Sequence, residues 1–155
     1  MPIDLEIVRR AAGAECSLIL AELPQWFAKQ EANAEFARMA EELGGWLAMA
    51  SDEPLGIMIL MDHGFSSVEN VLLAIRPEFH RQGIGTMLIQ HACAYARSLG
   101  KAYLTVKTLG PSRASESYKG TRAFYSAVGF EPLEEIVSIW GPENPCLLMI
   151  KAVSR

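Results

Sequence analysis

Val68-Glu69-Asn70-Val71-Leu72-Leu73-Ala74-Ile75-Arg76-Pro77-Glu78-Phe79-His80-Arg81-Gln82-Gly83-Ile84-Gly85-Thr86 is the stretch that decides the fold. Its first part, Val68 to Ile75, is nearly continuously apolar, which suits a strand buried on both faces. The strand must stop at Arg76, because Pro77 removes a backbone donor and pushes the residue before it away from helical angles. From Thr86 onward, Leu88, Ile89, Ala92, Cys93, Ala96 and Leu99 recur at helical spacing, and Gly100 stands where a left-handed terminating residue is expected. Gly83 and Gly85 therefore fall at a strand-to-helix junction. Without Cβ atoms they let the backbone approach a ligand closely, while the first-turn amides of the helix lack internal partners and turn partial positive charge outward. A diphosphate fits this arrangement, and Arg81 adds a guanidinium fork suited to phosphate oxygens. Taken alone, the glycines make only a tight turn and Arg81 a solvated charge; the buried strand before and the helix after supply the context a phosphate loop requires. A dinucleotide fingerprint and a Walker loop are disfavoured, since the third glycine of the first and the Gly-Lys-Ser/Thr of the second are missing.

Working outward, Ile3 to Val8 alternates as a first strand, and a helix through Leu18, Ile19 and Leu23 ends before Pro24. A second helix spans Gln30 to Leu43, with Phe36, Met39, Ala40 and Leu43 on one face, and Gly44-Gly45 closes it. Trp46 to Ala50 and Leu55 to Met61 flank Ser51-Asp52-Glu53-Pro54 as a hairpin. After the glycine loop come a strand from Tyr103 to Thr108, a helix from Glu116 to Val128, and strands from Phe130 to Ile139 and Cys146 to Lys151. The order β-α-α-β-β-β-α-β-α-β-β predicts an α/β fold: a mixed, mostly antiparallel sheet of about seven strands flanked by about four helices. The helix between the fourth and fifth strands makes that pair parallel.

The 155 residues suit a single domain over 1–155 that buries about two-thirds of its unfolded surface. Half of the chain is hydrophobic, yet there is no 18-residue apolar run, so no membrane partner is expected. Met1-Pro2-Ile3-Asp4 has neither a basic flank nor a signal core, which points to the cytoplasm. Cys16, Cys93 and Cys146 are too widely spaced for a Cys-x-x-Cys site and odd in number, so buried reduced thiols are expected. His63, His80 and His91 have no metal spacing, and no metal is assigned. A net charge of −4 without a Lys/Arg cluster argues against nucleic acid and tilts toward a cationic acceptor.

His80-Arg81-Gln82-Gly83-Ile84-Gly85 resembles the Gln/Arg-x-x-Gly-x-Gly/Ala pyrophosphate loop of the GCN5-related N-acetyltransferase (GNAT) superfamily, with His80 in the Gln/Arg position. About forty residues on, Phe124-Tyr125-Ser126-Ala127-Val128-Gly129-Phe130 is similar to its Phe-Tyr-x-x-x-Gly-Phe signature. The resemblance covers roughly Ile3 to Lys151. It implies an acetyl-CoA-dependent N-acetyltransferase acting on a primary amine of a small molecule or peptide, by direct attack in a ternary complex. The alternative is a catalytically silent CoA- or acyl-CoA-binding regulatory module. Members are often dimers, which leaves a homodimer open.

The same resemblance assigns roles. Arg81, Gln82, Gly83, Ile84, Gly85 and Thr86 would hold the diphosphate, and the backbone of Leu73, Ala74 and Ile75 would pair with the pantetheine amides. The Ile75 N–H could also polarise the thioester carbonyl. Tyr125 would be the general acid toward the CoA sulfur; from ordinary values, that transfer is uphill by about 2 kcal/mol before the site adjusts either group. Its other reading is a core tyrosine beside Phe124. Glu69, six residues before Ile75, has the spacing of the histone acetyltransferase general base, or is a solvated residue at a strand entrance. Glu116 and a water chain are further candidates for the base. Tyr118 stands where several relatives have an asparagine that bonds the pantetheine arm. Apart from the carried-over roles, Arg113, in a loop longer than the family's usual one, would bind the adenosine 3′-phosphate or a substrate carboxylate, or stay loose on the surface. Trp26 and Phe27 lie where the family builds its acceptor pocket, and ordinary helix packing explains them equally well.

Overall fold

The computed structural model describes residues 4–153. Among the described residues, seven strands join one sheet in the order β1-β2-β3-β4-β5-β7-β6; the strand count agrees with the sequence expectation, whereas there are five helices where about four were expected. The elements are β1 (Glu6–Arg10), α1 (Gly13–Ala21), α2 (Gln30–Glu42), β2 (Gly45–Ala50), β3 (Glu53–Asp62) and β4 (Ser67–Ile75). A 3₁₀ turn (Pro77–Phe79) precedes α3 (Ile84–Ser98), and β5 (Tyr103–Leu109), α4 (Glu116–Ala127), β6 (Glu131–Ile136), α5 (Val137–Trp140) and β7 (Cys146–Ala152) complete the chain. Two compact units divide it: residues up to Met61 with Val71–His91, and Asp62–Asn70 with the residues from Ala92 on.

In the first unit, β1 pairs antiparallel with β2 from Glu6↔Met49 to Arg10↔Gly45, and β2 pairs antiparallel with β3. On α1 and just after it, Cys16, Ile19, Leu20 and Leu23 recur at helical spacing and are buried together with Ala40 of α2 and Leu47, Ile57, Ile59, Leu72 and Ala74 of the strands. This core fixes the end of β4. Gly56 of β3 lies so close to it that a Cβ there would meet Ile75 Cδ1 at 2.6 Å.

In the second unit, β4 and β5 run parallel from Ser67↔Tyr103 to Asn70↔Val106, while β7 lies antiparallel to both β5 and β6. Ser115 caps α4, its Oγ accepting from the Tyr118 N–H at 3.3 Å. After α4 the Phe130 N–H donates to the Tyr125 carbonyl at 2.9 Å, which folds Phe130 back onto the helix.

Several boundaries differ from the sequence expectation. β1 continues to Arg10, and the expected start at Ile3 lies outside the described residues. The last stretch expected of the sixth strand, Val137 to Ile139, is helical. β7 begins only at Cys146, after a proline, and its last pair with β6 is Ile136↔Cys146; beyond Ile136 there is no partner to extend the ladder. That turn makes the fifth helix. α3 begins at Ile84 rather than Thr86, so Gly85 is helical. The apolar run of β4 is not buried on both faces: Leu72 and Ala74 are buried, whereas Val71, Leu73 and Ile75 are half-buried.

Candidate active site

Arg76 follows β4 with φ −56° and ψ 139°, and its side chain gathers the chain around the turn. Its guanidinium meets Glu22 at 3.1 Å, Glu53 at 2.5 Å and Glu78 at 3.4 Å and lies over the Phe79 ring, while the backbone N–H of Arg76 donates to the Leu55 carbonyl at 2.9 Å. Next to it, His80 Nε2 lies 2.7 Å from the Ile75 carbonyl oxygen, and the Trp26 ring packs edge-on to the imidazole. The strand end is thereby tied to the turn through Glu78, Phe79 and His80.

The loop then takes two left-handed steps, Arg81 at φ +62° and Gly83 at φ +82°. For an arginine that conformation costs about 1–2 kcal/mol. Arg81, Gln82 and Gly83 are exposed. The Met87 N–H donates to the Gly83 carbonyl at 3.0 Å, so the N–H groups of Ile84, Gly85 and Thr86 are those that an α-helix leaves without an internal acceptor. A Cβ on Gly83 would meet nothing within 4 Å. The result is a turn of donors that runs from exposed Gly83 through buried Ile84 to exposed Thr86, with the cationic residue Arg81 before it, chemically suited to a diphosphate. Leu73 and Ile75, two of the predicted strand residues, are half-buried and Ala74 is buried. Trp26 and Phe27 are half-buried against the first unit's core, and Phe27 meets Phe36 edge-on.

The second unit holds the titratable candidates. Tyr125 is buried between Phe124 and Phe130, whose ring centroids lie 5.3 and 5.4 Å away. Its Oη accepts a hydrogen bond from Asn70 Nδ2 at 3.4 Å. Burial pushes the phenol well above its ordinary range, the Asn70 bond pulls it back in part, and Tyr118 adds a smaller upward push. The phenol is thus a weaker acid than ordinary values suggest. Tyr118 is half-buried, and burial raises its phenol while Arg113 lowers it.

Glu69 is not solvated: its exposure is 9%, and Oε1 takes both His63 Nε2 at 2.8 Å and Lys107 Nζ at 3.3 Å. Glu116 sits exposed in the first turn of α4. Arg113 is not loose, since it bonds Asn144 Oδ1 and the Glu143 carbonyl beside an open cavity of about 550 Å³. All three cysteines are buried free thiols, and burial raises Cys16 to about 11. No group of three or more His, Cys, Asp or Glu among the described residues could hold a metal ion.

Sequence reasoning missed Asn70 and Lys107 as neighbours of the two catalytic candidates. A signal for Asn70 was available, since it is an uncharged polar residue inside the apolar run of β4. Lys107 had none, because its meeting with Glu69 depends on the parallel register of β4 and β5.

Residues 41–132 match the acetyltransferase (GNAT) domain family. No curated protein matches the chain. Among solved structures, it resembles a GNAT-family protein from Desulfovibrio desulfuricans (14% identity, 97% of this chain and 100% of the other, TM-score 0.86). An aminoglycoside 6'-N-acetyltransferase complexed with coenzyme A has 17% identity, coverage of 99% and 98%, and a TM-score of 0.75. A GNAT family acetyltransferase from Elizabethkingia anophelis with acetyl-CoA bound has 19% identity, coverage of 96% and 97%, and a TM-score of 0.70. At these identities the structures share the fold, while the domain match spans more than half of the chain and includes the glycine loop and the Phe124-Tyr125 signature. By its fold and its sequence, the chain belongs to the GNAT family of acetyltransferases.

Proposed function

We propose that the chain is an acetyl-CoA-dependent N-acetyltransferase that transfers the acetyl group to a primary amine by direct attack in a ternary complex. The observation that carries this reading is the donor nest: left-handed Arg81 and Gly83, then the amides of Ile84, Gly85 and Thr86 at the start of α3, with open space at Gly83. These residues fit a diphosphate, and Leu73, Ala74 and Ile75 offer strand backbone to the pantetheine. The bound donor supplies an activated thioester. Tyr125 gives the departing sulfur its proton, and Glu69 takes the proton of the amine. Glu69 is preferred to Glu116 because it is buried and held by two side chains, whereas Glu116 is exposed. Tyr118 borders the pantetheine arm in this reading.

The cysteines support direct attack, since burial raises all three thiols and disfavours the thiolate an acyl-enzyme would need. Their free, buried state also suits a reducing cytoplasm, and the two units would act as one catalytic domain. Trp26 and Phe27 form the aromatic wall of the acceptor site, and the net charge of −4 favours a cationic amine.

Calorimetry with CoA and an acetyl-CoA turnover screen over polyamines, aminoglycosides, amino acids and peptides test the reading. Binding with turnover of at least one amine is the expected result; flat turnover at saturating acetyl-CoA would overturn it. Tyr125→Phe should lower kcat about 100-fold, the lower end of what a general acid contributes, with little change in the KM for acetyl-CoA.

A further inference from the structure

We propose that Asn70 is the positioning residue of the proton donor: its side-chain amide holds the Tyr125 phenol so that the phenolic hydrogen is free to leave, and it stabilises the phenolate left behind. The proposal rests on the reading of Tyr125 as general acid and adds a residue with no assigned role. Asn70 is 1% exposed and Tyr125 is 5% exposed, so neither can turn to water for a partner. Nδ2 carries hydrogens only, and the phenol oxygen must therefore accept the 3.4 Å bond. The hydrogen of the phenol cannot also point at Asn70. Phe124 and Phe130, which flank the ring, offer it no lone pair. It is left directed elsewhere.

A structural role explains Asn70 poorly. Its Oδ1 is buried without a hydrogen-bond partner, which costs stability, and Val68 and Leu72 at the alternate positions of the same strand are apolar. An apolar residue would fit this site at lower cost. The amide gains its value during the reaction. As the amine nitrogen forms its bond to the acyl carbon, the carbon–sulfur bond breaks and its electron pair goes to sulfur. The proton on Tyr125 Oη follows to that sulfur, giving the free CoA thiol. The amine loses its own proton to the base, and a proton from solvent restores the phenol. The phenolate exists only within this sequence, and a donor already aimed at it binds the charged form more strongly than the neutral one. Burial and Tyr118 oppose that charge, and Asn70 favours it.

The test uses the whole chain with acetyl-CoA and hydroxylamine, a small nucleophile uncharged at neutral pH, which bypasses both acceptor choice and general base. Asn70→Leu should lower kcat about tenfold, the gain of a neutral bond on becoming charge-assisted, with the KM for acetyl-CoA unchanged. In the Tyr125→Phe background the same substitution should have no further effect on kcat. In the free protein, the ¹³Cζ resonance of Tyr125, identified by its loss in Tyr125→Phe, should move in Asn70→Leu. Asn70→Ala, which also lacks the amide, serves if leucine prevents folding. If Tyr125→Phe leaves kcat intact, the reading of Tyr125 fails. If Tyr125→Phe slows the reaction but the Asn70 variants do not, or if their losses persist in the Tyr125→Phe background, the role of Asn70 is overturned. An unmoved ¹³Cζ resonance overturns it as well.

Discussion

Gly83 holds φ at +82° with open space where a Cβ would stand, so Gly83→Ala meets backbone strain and no clash. Alanine in the left-handed region costs about 1–2 kcal/mol, and the added methyl also stands where a phosphate would approach the amides. We expect a CoA dissociation constant at least fivefold higher by calorimetry, with a melting temperature only a few degrees lower. The glycine pattern at a strand-to-helix junction made this position legible from sequence as one where the backbone can approach a ligand; its left-handed angle came only with the structure. Glu69 was legible as a candidate by spacing, but not its setting. Its bonds to His63 and Lys107 join residues 38 positions apart at the far end, a distance no local pattern spans.

β4 and the turn after it form the element on which the proposed donor site depends. Arg76, with a side chain 13% exposed, binds three carboxylates that are themselves 36%, 58% and 66% exposed, so each pair is weak and the hub acts chiefly by fixing geometry. Arg76→Met should lower stability by about 1–2 kcal/mol in urea titration. It should also raise the CoA dissociation constant several-fold, because the turn leading into the loop loses its anchor, while kcat at saturating acetyl-CoA stays near wild type. A collapse of kcat at saturation with unchanged affinity would contradict this role. Arg76 drew attention in the sequence only as the residue before Pro77; its partners Glu22 and Glu53 come from α1's end and from β3, and only folding brings them to it.

Alkaline pH should unfold the molecule early. Burial raises Cys16 from 9.0 to about 11, and Cys93, Cys146 and Tyr125 move in the same direction for the same reason. These groups are neutral when protonated, and the folded chain holds their protons more tightly than the unfolded chain. Stability is therefore fully present below the unfolded values and falls as pH rises through them, by about 3 kcal/mol for Cys16 alone between pH 9 and 11. Melting temperatures across that range should show the fall, and Cys16→Ala should flatten it; an equal slope in wild type and variant would refute the assignment. The sequence by itself determined the order of the seven strands and the four longer helices and the parallel fourth and fifth strands, and it marked the glycine loop, because apolar periodicity, proline and glycine act within a few residues of where they stand. It could not place the end of the sixth strand, which is set by where β7 begins. Nor could it reveal that Tyr125 meets Asn70 and that burial weakens the phenol as an acid. Those facts belong to the tertiary structure, because pairing, burial and electrostatic surroundings arise from residues far apart in the chain.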